Sequence, residues 1–414
     1  MRAFLLLFLV GCTHDIEAYR PSDVKSARNL DVLFVLDDSA DRASYAAMES
    51  QLDVLQTRLA ETDGQLPSLH VGVVTTDLGV SGTLDTVPGP AVDGCSGDGK
   101  GGKLQRFASS ASADYLEDLR GADGTRTRNY SSDDLTLELG ELTNPAAAGA
   151  GCEYEQPLEA MRRALDPATN PGFIRPDAML SIVFLTNEDD CSLSRGAMLD
   201  PSDGTLGPSS DYRCTAQGVV CDPDEPGTEG KKFNCRPREG SQFMVDVSEY
   251  EAFLNGYKPD RKDISVAAVA GPRSKFVVRN IGGPTLQPSC QGTSGSALPA
   301  VRIGALVDSF GGAMIDSCTQ EGAYQQIAAP IVERQRTCFP SMTAASEPDC
   351  TVVEVAGDTE LELDRCTTGD AGPCWYSYTD AAACPSGGNI GVAIKRGTTS
   401  APEGSRLEAR CFVR

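Results

Sequence analysis

Asp37, Ser39 and Asp41 occupy alternate positions of one short segment, Asp37-Asp38-Ser39-Ala40-Asp41, directly after a run of apolar residues. Oxygen side chains spaced this way in a loop can converge on one hard cation, Mg²⁺ or Ca²⁺. Asp37 and Ser39 are equally suited to capping the start of a following helix, because their side chains accept hydrogen bonds from free backbone N–H groups. Both readings stay open on the residues alone. Further oxygen-rich stretches are Thr75-Thr76-Asp77, Gly151-Cys152-Glu153-Tyr154-Glu155 and Leu185-Thr186-Asn187-Glu188-Asp189-Asp190.

The elements around these stretches explain how they could meet. Asp31–Leu36 is almost continuously apolar, as a strand buried on both faces must be. Ala43–Thr62 carries Tyr45, Met48, Leu52, Leu55 and Leu59 at helical spacing, and Leu69–Thr75 is a second apolar strand. Helices over Gln156–Leu165, Val247–Asn255, Pro299–Phe310 and Ala323–Gln335 alternate with strands at Leu180–Leu185 and Ile264–Ala270. Strands separated by helices predict a doubly wound, mainly parallel α/β sheet. Ligands of such sheets gather at the carboxyl ends of the strands, where Asp37, Thr76, Asp77, Asn187 and Asp189 fall.

Asp31 to Asp41 resembles the opening of a von Willebrand factor A domain, whose Asp-x-Ser-x-Ser loop begins a metal-ion-dependent adhesion site. Asp37 and Ser39 match the first two ligands of that motif, and Asp41 stands at the final serine position. The resemblance extends to about Arg336. It places Gly151–Glu155 where the family has a threonine loop, and no threonine is present there. It also places Asn187 at the family's aspartate position, with Asp189 two residues on. The resemblance thus implies a degenerate site of Asp37, Ser39, Asp41, Asn187 and Asp189, with Thr76, Asp77 and Glu153 lining the same face toward a ligand. Exchanging Ser for Asp at 41 and Asp for Asn at 187 keeps the number of oxygen donors, and Ca²⁺ tolerates irregular shells better than Mg²⁺.

Met1-Arg2 followed by apolar Ala3–Val10 reads as a short export signal, too short to span a bilayer. It ends Leu9-Val10-Gly11-Cys12, which resembles the bacterial lipobox and implies lipidation of Cys12. Cleavage there leaves 403 residues with a net charge of −24, against −23 for the whole chain. It also leaves 14 of the 15 cysteines, an even number fit for disulfides in an oxidising compartment. Asp31–Asp37, Thr75-Thr76-Asp77 and Thr186–Cys191 together are similar to a mostly uncharacterised set of surface lipoproteins of predatory and fruiting soil bacteria.

The expected organisation is a signal peptide over 1–11, a polar tether over 12–29, a von Willebrand A-like domain over 30–337 and a Cys-rich all-β module over 338–414. A Cys-rich insertion at 191–240 is too poor in apolar residues for a core of its own. Apart from Cys12, eight cysteines precede residue 338 and six fall from it onward, and spacing alone does not pair them.

The acidic balance argues against nucleic-acid binding. With only His14 and His70, histidine-based zinc sites and catalytic triads have little to draw on. Gly97–Lys103 has the glycine and lysine spacing of a phosphate loop, but Leu104 stands where a Ser or Thr is needed. The acidic turn Asp93–Gly99 lacks EF-hand spacing. The leading expectation is a non-enzymatic, lipid-anchored surface protein that binds a protein or other surface ligand, with Ca²⁺ or Mg²⁺ as the possible cofactor. The alternatives are a structural envelope lipoprotein whose ion site has decayed, or an exported hydrolase using Asp and Glu.

Overall fold

A computed structural model describes residues 29–39, 51–60, 66–106, 114–121, 125–131, 135–140, 151–207, 211–222, 228–335, 337–339, 349–356, 358–369, 372–379, 390–395, 402 and 405–412. Cys12, the export signal, Asp41 and the first turns of the expected Ala43–Thr62 helix lie outside them.

In chain order the first elements are β1 (Asn29–Leu36), α1 (Leu52–Ala60), β2 (Ser68–Thr75), β3 (Leu116–Arg120), β4 (Arg126–Arg128), α2 (Leu135–Gly140), α3 (Pro157–Ala164) and β5 (Met179–Leu185). Next come α4 (Asp211–Gly218), β6 (Val219–Asp222), β7 (Gly230–Pro237), α5 (Val247–Asn255), β8 (Ile264–Ala270), β9 (Phe276–Asn280) and β10 (Pro284–Leu286). They are followed by β11 (Cys290–Gly292), β12 (Gly295–Ala297), α6 (Val301–Ser309), β13 (Met314–Asp316) and α7 (Ala323–Gln335). The last strands are β14 (Thr337–Phe339), β15 (Asp349–Ala356), β16 (Thr359–Leu363), β17 (Cys374–Thr379), β18 (Ile390–Lys395) and β19 (Arg406–Phe412).

The main sheet has the order β13-β8-β5-β1-β2-β3-β4, parallel from β13 to β2 and antiparallel at β3 and β4. The chain is therefore a mixed α/β protein with a central, mainly parallel sheet. β1 lies in the middle, with Leu36 opposite Thr75 on one side and Leu185 on the other. Its alternate side chains serve two cores. Leu30, Val32, Phe34 and Leu36 pack with α1 and α7, while Leu33 and Val35 pack with α3, α5 and α6. Burial on both faces removes any polar alternation from β1, and the apolar run follows from that.

The 191–240 insertion is stapled by Cys191–Cys214 and Cys221–Cys235, yet disulfides are not its whole support. Its β6 and β7 pair with the later β9 and β10 in a four-stranded antiparallel sheet. That sheet buries Val219, Phe276, Val278 and Leu286 against Tyr212 and Val301. Apolar residues from elsewhere in the chain thus supply the core that the insertion lacks.

The C-terminal strands form two three-stranded sheets, β14-β18-β17 and β16-β15-β19, around Val352, Leu363, Trp375, Val392, Ile394, Leu407 and Ala409. Trp375 is buried beside the Cys366–Cys374 disulfide, under the Arg365 guanidinium 5.4 Å from its ring centre. Among the described residues no helix is long and apolar enough to cross a membrane.

Candidate functional site

The parallel ladder runs one residue past its strands. Asp37 N–H donates to Leu185 O (2.9 Å), Thr76 N–H to Leu36 O (3.1 Å) and Thr186 N–H to Val269 O (3.1 Å). These bonds bring Asp37, Thr76 and Thr186 to one edge as the chain leaves β1, β2 and β5. Gly151 closes the edge from above. A β-carbon there would stand 2.7 Å from the Asp38 carbonyl carbon, so only glycine lets the 151–155 loop lie this close.

Asp37 is held at both carboxylate oxygens. Its Oδ1 accepts Ser39 N–H (3.0 Å) and the Ser39 hydroxyl (2.9 Å), and its Oδ2 accepts the Thr186 hydroxyl (3.0 Å). Thr186 Oγ1 in turn accepts Glu188 N–H at 2.9 Å. The Ser39 hydroxyl also makes a short hydrogen bond with the Glu155 carboxyl, which bonds to Glu188 as well. Asp37 and Glu155 are each 1% exposed. Burial, and then the charge of Asp37, push the Glu155 carboxyl well above its ordinary range. One hydroxyl proton cannot serve both carboxyls at once, and either a proton on Glu155 or a cation between the oxygens would relieve the crowding.

The neighbouring carboxylate is already neutralised from within. Lys100 Nζ lies 2.6 Å from Asp38 Oδ2, and the Thr76 hydroxyl reaches Asp38 Oδ1 at 3.4 Å. Lys100 arrives there because its own N–H donates to Asp77 O (2.9 Å) and the preceding Gly99, at φ +53°, packs against the Asp77 carboxylate. The glycine-rich segment with phosphate-loop spacing thus delivers an ammonium group to the acidic edge. Asp77 itself accepts Gly79 N–H, and burial raises its carboxyl above the ordinary range. The disulfide Cys95–Cys152 ties the Lys100 segment to the Glu155 loop.

Asp189 does not join Asp37. Its carboxylate accepts the N–H groups of Val301 (2.9 Å), Arg302 (3.0 Å) and Ile303 (3.2 Å), capping α6. Burial raises its carboxyl to about 6 against those bonds. Asp190 does the same for α3, accepting Leu158 N–H (3.0 Å) while the buried Arg302 guanidinium pairs with its other oxygen (3.0 Å). Free N–H groups and positive dipole ends draw carboxylates to helix starts, so these two aspartates are spent on positioning the helices. Asn187 stays at the strand end, its Oδ1 buried with no hydrogen-bond partner among the described residues. Glu153 is exposed, its N–H bonded to Asp93 O.

Of the residues singled out from sequence, the structure brings together Asp37 and Ser39, with Thr76 and Asp77 beside them through Asp38 and Lys100. Glu155 and Thr186 were missed as donors. Both lie in stretches already marked as oxygen-rich, Glu155 where the resemblance looks for a threonine.

The donor set of Asp37, Ser39, Thr186 and Glu155 is all oxygen and holds two carboxyls, which fits a hard cation. A second grouping does not fit one. Cys290, Asp316 and Cys318 meet, but the two sulfurs are bonded to each other and Asp316 accepts Cys318 N–H. His70 lies far from the site, at the register position of Asp31, buried with Nδ1 2.7 Å from Phe173 O.

No family model and no curated protein matches the chain. Among solved structures it is similar to the conserved hypothetical protein BatB from Bacteroides thetaiotaomicron (10% identity, 74% of this chain and 98% of that one, TM-score 0.30). It is also similar to a von Willebrand factor type A protein from Catenulispora acidiphila (12%, 93% and 57%, TM-score 0.29). A third is the pilus adhesin SpaC from Lactobacillus rhamnosus GG in its open conformation (9%, 93% and 39%, TM-score 0.30). The match thus spans 57% and 39% of the length of the last two chains. At such overlap the architecture rests on this chain's own strand order.

Proposed function

We propose that this chain is an exported binding protein, held to a membrane by a lipid on Cys12, that captures a protein or surface ligand at the carboxyl edge of its main sheet. The observation that carries this reading is the pair of buried carboxyls, Asp37 and Glu155, bridged by the Ser39 hydroxyl at a sheet edge where ligands gather. Asp37, Ser39, Thr186 and Glu155 would hold Ca²⁺ or Mg²⁺, and a carboxylate of the partner would complete the shell. Ser39 and Glu188, both part-exposed, give the partner access. The described disulfides support an oxidising compartment, and the lipobox-like Leu9–Cys12 supports the anchor. The His-poor composition and the diversion of Asp189 and Asp190 to helix ends favour binding over catalysis.

Calorimetric titration of the oxidised chain with Ca²⁺ and with Mg²⁺ tests this reading. Binding heat that disappears in Asp37→Ala and in Glu155→Gln, and survives in Asp189→Asn, is the expected result. No heat from either ion in the unsubstituted chain sinks the cation-dependent mechanism. It leaves the second reading, which the internal Lys100–Asp38 pair favours: an envelope protein whose Glu155 keeps a proton.

A further inference from the structure

The chain is strongly acidic, yet from Ile264 through Val307 it contains no Asp or Glu, and neither does Gly230 through Arg238. These two acid-free stretches are the ones that pair in the four-stranded sheet of the insertion. Register fixes which side chains share a face. Lys232 opposes Phe276, and Gly230 opposes Val278, which opposes Leu286; apart from glycine these side chains point inward and are buried. Lys231 opposes Val277, and Arg279 opposes Thr285, so these side chains point outward, with Lys275 two residues before Val277 on the same side. A bulge between Val220 and Asp222 keeps Phe233 and Arg236 on the outer face too.

The result is an exposed surface bearing Lys231, Lys275, Arg279 and Arg236 around Phe233, with Ile281 at the β9–β10 turn. Phe233 is 61% and Ile281 68% exposed. Among the described residues Asp222 is the acid of this face and pairs with Arg236 at 3.7 Å; the exposed Glu229 precedes β7, and the sequence places Asp224 and Glu225 between β6 and β7, outside the described residues.

We propose that this outer face is a second membrane contact, docking on a bilayer rich in anionic phospholipid. Its basic groups would meet the headgroup phosphates, while Phe233 and Ile281 enter the boundary with the acyl chains. Charge complementarity carries the argument. Attraction to an anionic surface acts within about 8 Å at physiological salt, so the face turned to the membrane decides the interaction rather than the net charge of the chain. The exposed aromatic and aliphatic side chains among the cations favour a bilayer over a soluble polyanion, which offers them no apolar layer. The 17 residues from Thr13 to Asn29 would reach about 55 Å if extended, so a lipid on Cys12 alone leaves the folded part free to turn. A basic patch added to an acyl anchor supplies the second signal that stable attachment needs.

The test uses the full oxidised chain carrying Cys12→Ser, so that no acyl chain holds it to vesicles. Co-sedimentation is measured with phosphatidylcholine vesicles and with phosphatidylcholine–phosphatidylglycerol vesicles. Binding to the anionic vesicles alone, weakened by salt, is expected. Lys231→Glu with Arg279→Glu lowers it roughly twenty-five-fold or more, at about five-fold per basic group. Lys395→Glu, on β18, leaves it unchanged. Circular dichroism checks that each variant is folded. A separate Phe233→Trp variant gives fluorescence quenched by brominated acyl chains, because the native Trp375 is buried. Absence of binding to anionic vesicles, equal binding to neutral ones, indifference to the charge reversals, an unquenched tryptophan, or binding to heparin in place of vesicles each overturns the proposal.

Discussion

The Ser39 hydroxyl meets the Glu155 carboxyl across 116 residues of sequence while also donating toward Asp37 two residues away. A loop-internal turn and a long-range contact therefore share one oxygen, and the charge state of Glu155 decides how that oxygen is used.

Replacing Glu155 with Gln removes a buried carboxyl that faces another one, without changing its shape. In a chelator, thermal unfolding at neutral pH should show this variant more stable by roughly 1–2 kcal/mol, because removing the cost of burying a carboxyl that must take up a proton outweighs the lost bond. Added Ca²⁺ should stabilise the unsubstituted chain and leave the variant untouched. A variant less stable than its parent would show that the Glu155 carboxyl is already balanced by another group.

Asp189→Ala should cost about 1–2 kcal/mol, the usual loss when a helix start gives up its capping side chain. Urea denaturation measures it. The same variant should keep the full calorimetric response to cations, since Val301, Arg302 and Ile303 take its oxygens.

Opening Cys95–Cys152 by the double change to serine frees a 57-residue separation and should destabilise the fold by about 4 kcal/mol on loop entropy. It should also weaken cation binding, because the bond ties the Lys100 segment to the loop of Glu155. Unchanged affinity in the folded variant would separate these two roles.

His70 supplies the pH dependence. Burial, and then the Arg175 charge, lower its pKa from 6.5 to about 4. The folded chain therefore holds fewer protons than the unfolded one between those values. Stability contributed by the neutral ring is complete above pH 6.5 and is lost as the pH falls toward 4, by at most about 3 kcal/mol. His70→Gln should flatten that part of the stability profile; a profile of unchanged slope would assign the acid sensitivity elsewhere.

The strands buried on both faces were legible from the sequence. β1, β2, β5 and β8 are mostly apolar runs because helices cover them on either side. β3 was not, since Leu116-Glu117-Asp118-Leu119-Arg120 mixes charge with burial, and Asp118 is buried only because Arg126 and Arg128 reach it. The sheet of the insertion was hidden for a similar reason, as β7 reads as charged until β9 is known to lie beside it. At the site, Asp37 and Ser39 were legible by spacing and by family resemblance. In Asn187-Glu188-Asp189-Asp190 no local rule says which oxygen turns to the edge and which to a helix start. That choice is made by α3 and α6: their starts were legible in the sequence, at Gln156 and Pro299, but not which oxygen of this loop each start would face.

Cys191 comes directly after Asp190 and is bonded to Cys214, just as Cys152 sits three residues before Glu155 and is bonded to Cys95. Two of the three loops meeting over Asp37 are thus covalently pinned close to the atoms that matter. Before those thiols are oxidised the rim is held by weaker contacts alone. If the chain is exported and takes up a cation as proposed, a timetable follows: a nascent chain still inside the cytoplasm would be a poor trap for stray divalent ions, and it would become a competent one only after passage outward.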